Sequence, residues 1–307
     1  RFLPRAVGAV TGSRLRRLQL ETSWGELAIV GGSRAGDGSV ILLPQLHLAL
    51  DAGRAHRALP AMTTVVISHG HVDHLGGIAY WASQRQLQSM GPARLLAPRA
   101  VAPGIEELLA THARLEGGQP YEVEIIAVDA GERFPQRRDF DLVFFPTDHW
   151  VPTLGSRIVW RRRHLLPEFA DLPGDEIARR RNAGETVTEE IEANLLAYCA
   201  DCGPGVLENQ PQALAAEVLL IECSFYRPGD RERAARYGHM HLEDLLASID
   251  LLNCRHLVVL HASRRHRLRE VEKILEERLR PGNRDRDRGR EWWTGWNPTD
   301  GGDPAAP

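Results

Sequence analysis

The stretch Thr64-Val65-Val66-Ile67-Ser68-His69-Gly70-His71-Val72-Asp73-His74-Leu75-Gly76-Gly77 sets four potential metal ligands within six residues, directly after a run with strand character. Divalent zinc takes histidine nitrogen and carboxylate oxygen, and a catalytic site keeps one position open for water. A regular helix could not turn His69, His71, Asp73 and His74 all to one side. A loop at the C-terminal end of a strand can, with Gly70 expected to permit close backbone approach. Gly76 and Gly77 are expected to allow tight packing where a helix over Gly77 to Met90 begins. The plain alternative is a histidine cluster on a mobile surface loop. The buried strand in front, and the carboxylate among the histidines, favour a metal site.

Further ligands are expected at strand ends downstream, and three residues have that setting. His149 follows the strand Asp141 to Pro146, Asp201 follows Leu195 to Ala200, and His261 closes His256 to Leu260. Upstream, Leu18 to Thr22, Glu26 to Val30, Ser39 to Leu43 and Leu46 to Leu50 read as short strands between Gly, Ser, Asp and Pro. Strands at Arg94 to Ala97, Glu122 to Val128 and Val218 to Glu222 alternate with helices at Gly104 to Leu115, Leu242 to Leu252 and Leu268 to Leu279. Ser156 to Glu192 is polar, contains Arg161-Arg162-Arg163 and Arg179-Arg180-Arg181, and reads as an excursion from the core. Residues 1–280 are thus expected to form one α/β domain. From Pro281 to Pro307 the composition suggests a disordered tail, although it carries Trp292, Trp293 and Trp296.

A chain of 307 residues with 43% hydrophobic content can bury a large core. No run of 18 apolar residues occurs, which argues against a membrane span. No signal peptide is visible, so a cytoplasmic location is expected. Four cysteines, Cys199, Cys202, Cys223 and Cys254, are too few for a disulfide scaffold. Cys199 and Cys202 form a C-x-x-C without a second pair to complete a zinc site, so small buried residues are expected there. The net charge of −3 exerts no global pull on nucleic acid. Lys273 is the single lysine among 38 basic residues, a bias that suits phosphate binding but that a GC-rich genome explains for the most part.

The order His-x-His-x-Asp-His, His, Asp, His resembles the ligand series of the metallo-β-lactamase superfamily. The resemblance implies an αββα sandwich, two mixed sheets flanked by helices, with the site along one edge. It implies that His69, His71 and His149 hold one divalent metal and Asp73, His74 and His261 another, with Asp201 bridging them. Zinc is the expected ion, with Mn2+ or Fe2+ as alternatives. Two metals about 3.5–4 Å apart can share a hydroxide and stabilise attacking and leaving oxygens, which suits phosphodiester or ester hydrolysis. Asp73 is expected to accept the water's proton as well as ligate.

A narrower resemblance, to ribonuclease Z, runs from about Leu18 to Leu279. It rests on Ser68 to Gly77, Pro146-Thr147-Asp148-His149, Glu222-Cys223-Ser224 with Gly238-His239-Met240-His241, and His261-Ala262-Ser263-Arg264-Arg265. It implies an endonuclease that trims the 3′ extension of precursor transfer RNA, and a homodimer. It also implies proton transfer by Glu222 and a histidine, and a phosphate contact at Ser263. His239, four residues before Glu243, is preferred for that histidine over His241, which reads as the edge of the following helix. Two histidines on a solvated loop are the plain alternative.

The compact segment Ala79 to Leu115, without the flexible arm of bacterial forms, is similar to the short, plant-type form or to a ribonuclease Z relative that does not act on transfer RNA. Where the family often has Gly-Asp-Thr, this chain has Ala200-Asp201-Cys202. With RNA as substrate, the two arginine runs are the obvious phosphate contacts; solvated faces are the equal alternative. A hydrolase of small phosphodiesters, esters or lactones, and a metal-stabilised binding protein without catalysis, are the competing readings. Thioester hydrolysis of the glyoxalase II kind fits the long gap from His149 to Asp201 less well.

Overall fold

In the run Val218–Glu222 every residue is buried, yet its side chains enter two different apolar layers. Val218 and Leu220 join one core, while Leu219 and Ile221 join another, because successive side chains leave a strand on opposite faces. Val258 and Leu260 against Leu257 and Val259 divide in the same way, as do Ile41 and Leu43 against Val40 and Leu42. Strands that are apolar on both faces must be covered on both, and that requirement builds a four-layer molecule.

The computed structural model describes residues 16–279 and 289–292. The first sheet runs β1 (Arg16–Thr22), β2 (Gly25–Ala35), β3 (Gly38–Leu43), β4 (Leu48–Ala52), β5 (Thr64–Val66), β6 (Ala93–Pro98) and β7 (Val123–Val128) in chain order. β1 to β4 pair antiparallel, and β4 to β7 pair parallel. Between β5 and β6 lie the single turn α1 (Val72–Leu75) and the helix α2 (Ile78–Leu87); α3 (Ala102–Leu115) follows β6. Trp81, Ala82, Ile105 and Leu109 of α2 and α3 cover the outer face of this sheet.

The second sheet contains β8 (Arg133–Arg137), β9 (Phe140–Pro146), β10 (Leu154–Leu165), β11 (Thr188–Tyr198), β12 (Val218–Glu222) and β13 (His256–Leu260). The short β14 (Ala262–Ser263) crosses to pair with β2 of the first sheet, and β15 (Gly289–Trp292) pairs with β13 at the edge of the second. β8 to β11 are antiparallel; β11, β12, β13 and β15 are parallel. After β10 comes α4 (Gly174–Asn182). The outer face of β11 to β13 lies under α5 (Gly205–Asn209), α6 (Pro211–Leu214), α8 (Leu242–Ala247) and α9 (Leu268–Leu279), with α7 (Arg231–Tyr237) before α8. The expected sandwich of two mixed sheets flanked by helices is present. No helix among the described residues is long and apolar enough to cross a membrane.

Two expectations about organisation need correction. Ser156 to Trp160 does not leave the core: it lies in β10, paired with both β9 and β11. Only from Arg161 onward does β10 lose β9, so Arg161 to Leu165 and Thr188 to Glu192 form a two-stranded arm with α4 beyond it. The charges that suggested an excursion belong to a hairpin solvated on both faces. The tail is not without structure at Gly289–Trp292, where the edge of β13 offers backbone partners that composition cannot reveal. The rest of the tail, with Trp293 and Trp296, lies outside the described residues.

Candidate metal centre

The C-terminal ends of β5, β9, β11, β12 and β13 meet at one edge of the sandwich and bring all seven expected ligands together. His69, His71, His149 and Asp201 converge in one group, and Asp73, His74 and His261 in a second, each with ligand atoms within 4.8 Å of one another. Asp201 lies between them, its Oδ1 3.3 Å from Nε2 of both His74 and His261 and its Oδ2 3.7 Å from Nε2 of His69. The hexad is half loop and half helix. His71 caps α1, whose single turn carries Asp73 and His74, so the expectation of a plain loop is corrected for those two.

Gly70 is not the glycine this geometry requires. A Cβ there would meet Val101 at 3.7 Å, an ordinary contact. At Gly53 it would sit 1.8 Å from the Asp73 carbonyl oxygen, so the turn bearing the ligands packs against the chain only because Gly53 has no side chain. Gly77 has a similar role against the Arg54 backbone.

Four of the five ligand imidazoles are held from behind, while the fifth, His71, turns its Nδ1 to His69 Nε2 at 2.9 Å. His69 Nδ1 donates to Ser68 Oγ (3.0 Å), His74 Nδ1 to Asp51 Oδ2 (2.7 Å), His149 Nδ1 to the Gly238 carbonyl (2.9 Å) and His261 Nδ1 to Ser224 Oγ (3.2 Å). Tethers of this kind fix tautomer and ring orientation. They also leave each Nε2 as a lone pair aimed inward, and His74 and His261 oppose theirs at 3.2 Å. His149 Nε2 and Asp201 Oδ1 are buried with no hydrogen-bond partner. Converging lone pairs and carboxylates of this kind fit a divalent cation, because a cation satisfies all of them at once.

Without a metal, the electrostatics favour positive charge at His74, between two carboxylates, and neutral rings at His69, His71 and His149. Burial pulls His74 down, but Asp201 and Asp51 outweigh it and hold this imidazole well above its ordinary value. His69, where burial is joined by the neighbouring His74, is brought down to about 2. Burial likewise lowers His71 and His149, leaving neutral nitrogens available to a metal. Asp73 resists its own burial through His261, His74 and the Gly36 amide and stays well below the usual carboxylate range.

Sequence reasoning missed Asp51. It is fully buried, and its carboxylate accepts from Ser68 N, Ser68 Oγ, His74 Nδ1 and Tyr198 OH at 2.7–2.8 Å. The available signal is an acid ending an otherwise apolar strand, since an isolated carboxylate is too costly to bury there without partners. Asp51, Ala200 and His261 all adopt left-handed backbone (φ 59°, 53° and 63°), an unfavourable state for non-glycine residues that clusters at functional sites.

Beside the ligands, His239 Nδ1 donates to Glu222 Oε1 at 2.6 Å. Glu222 Oε1 also accepts from Cys202 N (3.0 Å), and Oε2 from Ser224 Oγ (2.6 Å). Both oxygens are therefore committed, which sets Glu222 apart from the metal ligands although it lies within reach of Asp201 and His261. Burial opposes the charge on His239, but Glu222 prevails and pushes it up to about 9. His241 points elsewhere: its Nδ1 accepts from Glu243 N at the start of α8, and its Nε2 donates to the Arg227 carbonyl. Ser263 stands half-buried in β14, its Oγ accepting from Arg265 N at 3.3 Å. All four cysteines are free and buried. Of the arginine runs, Arg161 pairs with Asp141 and both Arg179 and Arg180 with Glu176.

Residues 17–262 match the family described as Beta-lactamase superfamily domain. The chain is 29% identical to tRNase Z TRZ1 of Arabidopsis thaliana over 80% of its own length and 88% of the relative's. It is 27% identical to the chloroplastic tRNase Z TRZ2 of the same plant, covering 81% and 71%. Among solved structures, the metallo-beta-lactamase fold protein YhfI of Bacillus subtilis superposes with a TM-score of 0.58 at 16% identity, covering 87% of this chain and 96% of that one. The short form of human tRNase Z gives 0.52 at 16% identity, with 76% and 90% covered. These likenesses show the metallo-β-lactamase fold, a fold that implies divalent metal binding. With the family matched across most of its length and the ligand series gathered at the expected edge, the chain belongs to the beta-lactamase superfamily.

Proposed function

We propose that the chain is a metal-dependent phosphodiesterase of the RNase Z kind, cleaving the 3′ extension from precursor transfer RNA. The observation that carries the chemistry is the Glu222–His239 pair set against both ligand groups. The relatives named tRNase Z support the substrate. His69, His71 and His149 would hold one ion and Asp73, His74 and His261 the other, with Asp201 between them; zinc suits this nitrogen and carboxylate set. When bound, such a pair supplies Lewis-acid charge at the phosphoryl oxygens and lowers the pKa of water.

The chain's own residues do the rest. Glu222 holds Nδ1–H of His239, so the second proton of the imidazolium sits on Nε2, where it can pass to the departing 3′ oxygen. Ser224 ties the same carboxylate to His261, so one glutamate orients a ligand and the proton donor together. Asp73 already accepts the Gly36 amide at 2.6 Å on Oδ2, which suits a ligand better than a base.

One observation favours small phosphodiesters as substrate instead. Over residues 161–192 the arm carries six arginines against Glu168, Asp171, Asp175, Glu176, Glu185, Glu189, Glu190 and Glu192, a poor surface for gripping RNA. A denaturing gel of 3′-extended precursor with metal-loaded protein decides. Cleavage after the discriminator base, absent with His71→Ala, supports the RNA reading. An intact precursor beside hydrolysed bis(p-nitrophenyl) phosphate transfers the activity to small substrates.

A further inference from the structure

The ligands differ in how deeply they lie. His69, His74, Asp201 and His261 are almost fully buried, whereas His71, Asp73 and His149 are only partly covered. The centre therefore opens past these three, and the next residue after His149 is Trp150, 66% exposed. Its indole packs on the His71 ring (centroids 5.4 Å apart, 45° between planes) and edges the His149 ring at 6.2 Å. Val72, following His71, is 75% exposed.

A lone exposed apolar side chain is ordinary on a protein surface and needs no function. Trp150 differs because its backbone is pinned. Just before it, the Asp148 carboxylate accepts from Gly205 N (2.7 Å) and Val206 N (3.2 Å), and Thr147 Oγ1 donates to the Asp201 carbonyl (3.0 Å). Just after it, Thr153 Oγ1 donates to the Val151 carbonyl and Leu154 N to the Ser68 carbonyl. Gly238 closes against the same turn, where a Cβ would lie 3.2 Å from Trp150 N. A large aromatic surface is thus held in water by a fixed turn at the mouth of a site that takes a phosphodiester.

We infer that Trp150 is a stacking platform for a nucleobase flanking the scissile phosphate, positioning substrate without touching the reacting atoms. This rests on the phosphodiesterase reading above. Stacking accepts any base, because each has a π-face, so the contact suits a site that must hold single-stranded 3′ extensions of varied sequence. Base–aromatic stacking lost on alanine substitution corresponds to about 5- to 140-fold in affinity.

The test is calorimetric titration of the metal-loaded protein with AMP and with ribose 5-phosphate, in wild type, Trp150→Phe and Trp150→Ala, with metal content measured for each. Wild type should prefer AMP, Trp150→Phe should keep most of that preference, and Trp150→Ala should lose it. With precursor transfer RNA the loss should fall in KM more than in kcat, since stacking is shared by ground and transition states. A preference for AMP that survives in Trp150→Ala, or none in wild type, overturns the inference. Should wild type leave the precursor intact while the AMP preference depends on Trp150, the RNA reading fails and the platform stands for smaller nucleotides. Should wild type cleave the precursor and Trp150→Ala match its KM, the platform fails and the RNA reading stands.

Discussion

Asp51 Oδ2 lies 2.7 Å from His74 Nδ1, and the same carboxylate reaches His69 through Ser68, so one buried acid orients a ligand in each of the two groups. Replacing it by alanine removes an anion from a closed network and leaves Ser68 N and Tyr198 OH without their acceptor. Asp51→Ala should therefore weaken metal binding about 10- to 100-fold, as outer partners of metal ligands do. It should also cost about 3–5 kcal/mol of stability, the range for breaking a buried ionic pair. Asp51→Asn keeps the volume and should retain more of both. Metal content after dialysis and thermal unfolding measure the two effects; full metal occupancy in Asp51→Ala would refute the orienting role.

Why Asp51 escaped the sequence, while His69 to His74 did not, is a matter of range. Ligand types crowded after an apolar strand are a local signal. Asp51 meets His74 across 23 residues and Tyr198 across 147, and nothing in the intervening sequence records the contact. His149, Asp201 and His261 were legible because each ends an apolar strand. The choice of His239 over His241 was legible too, because His241 reads as the edge of the following helix, and its Nδ1 accepts from Glu243 N there. β8 went unread because Pro135 sits within it, which an edge strand with a bulge tolerates. The arm was misjudged because alternation of charge marks solvated hairpins and departing loops alike.

Gly53 offers a second test, through packing. A methyl group there would overlap the Asp73 carbonyl, and backbone cannot rotate away as a side chain can. Gly53→Ala should destabilise the protein by about 1–3 kcal/mol through overpacking, and should lower occupancy of the group containing Asp73 and His74. Gly70→Ala, whose Cβ meets only Val101, is the matched control and should change neither much. Equal effects of the two substitutions on unfolding and metal content would show that close approach at Gly53 is unimportant.

Removing metal should lower stability as well as activity. Asp73 and Asp201 share the edge with five histidines, and a bound cation offsets that crowding. Since ions bind the folded site and not the open chain, stabilisation grows with free metal as the logarithm of its ratio to Kd, about 4 kcal/mol at a thousandfold excess. Chelator treatment should lower Tm, and zinc should restore it in proportion to the logarithm of its concentration. A Tm indifferent to chelator would mean that these residues bind no metal tightly.

His239 can be judged by its leaving group. If its Nε2 protonates a departing 3′ oxygen, the benefit depends on how poor that oxygen is as an anion. An alkoxide leaves badly without a proton, whereas p-nitrophenolate is stabilised by its ring and needs little help. His239→Ala should thus reduce kcat on precursor RNA by about 10²–10⁴, the range for positioned acid catalysis, but reduce hydrolysis of bis(p-nitrophenyl) phosphate far less. Glu222→Gln should show the same asymmetry more weakly, because the amide oxygen can still accept from Nδ1–H while the charge supporting the imidazolium is gone. Equal losses on both substrates, with metal retained, would place His239 in binding or structure and leave the proton to another group.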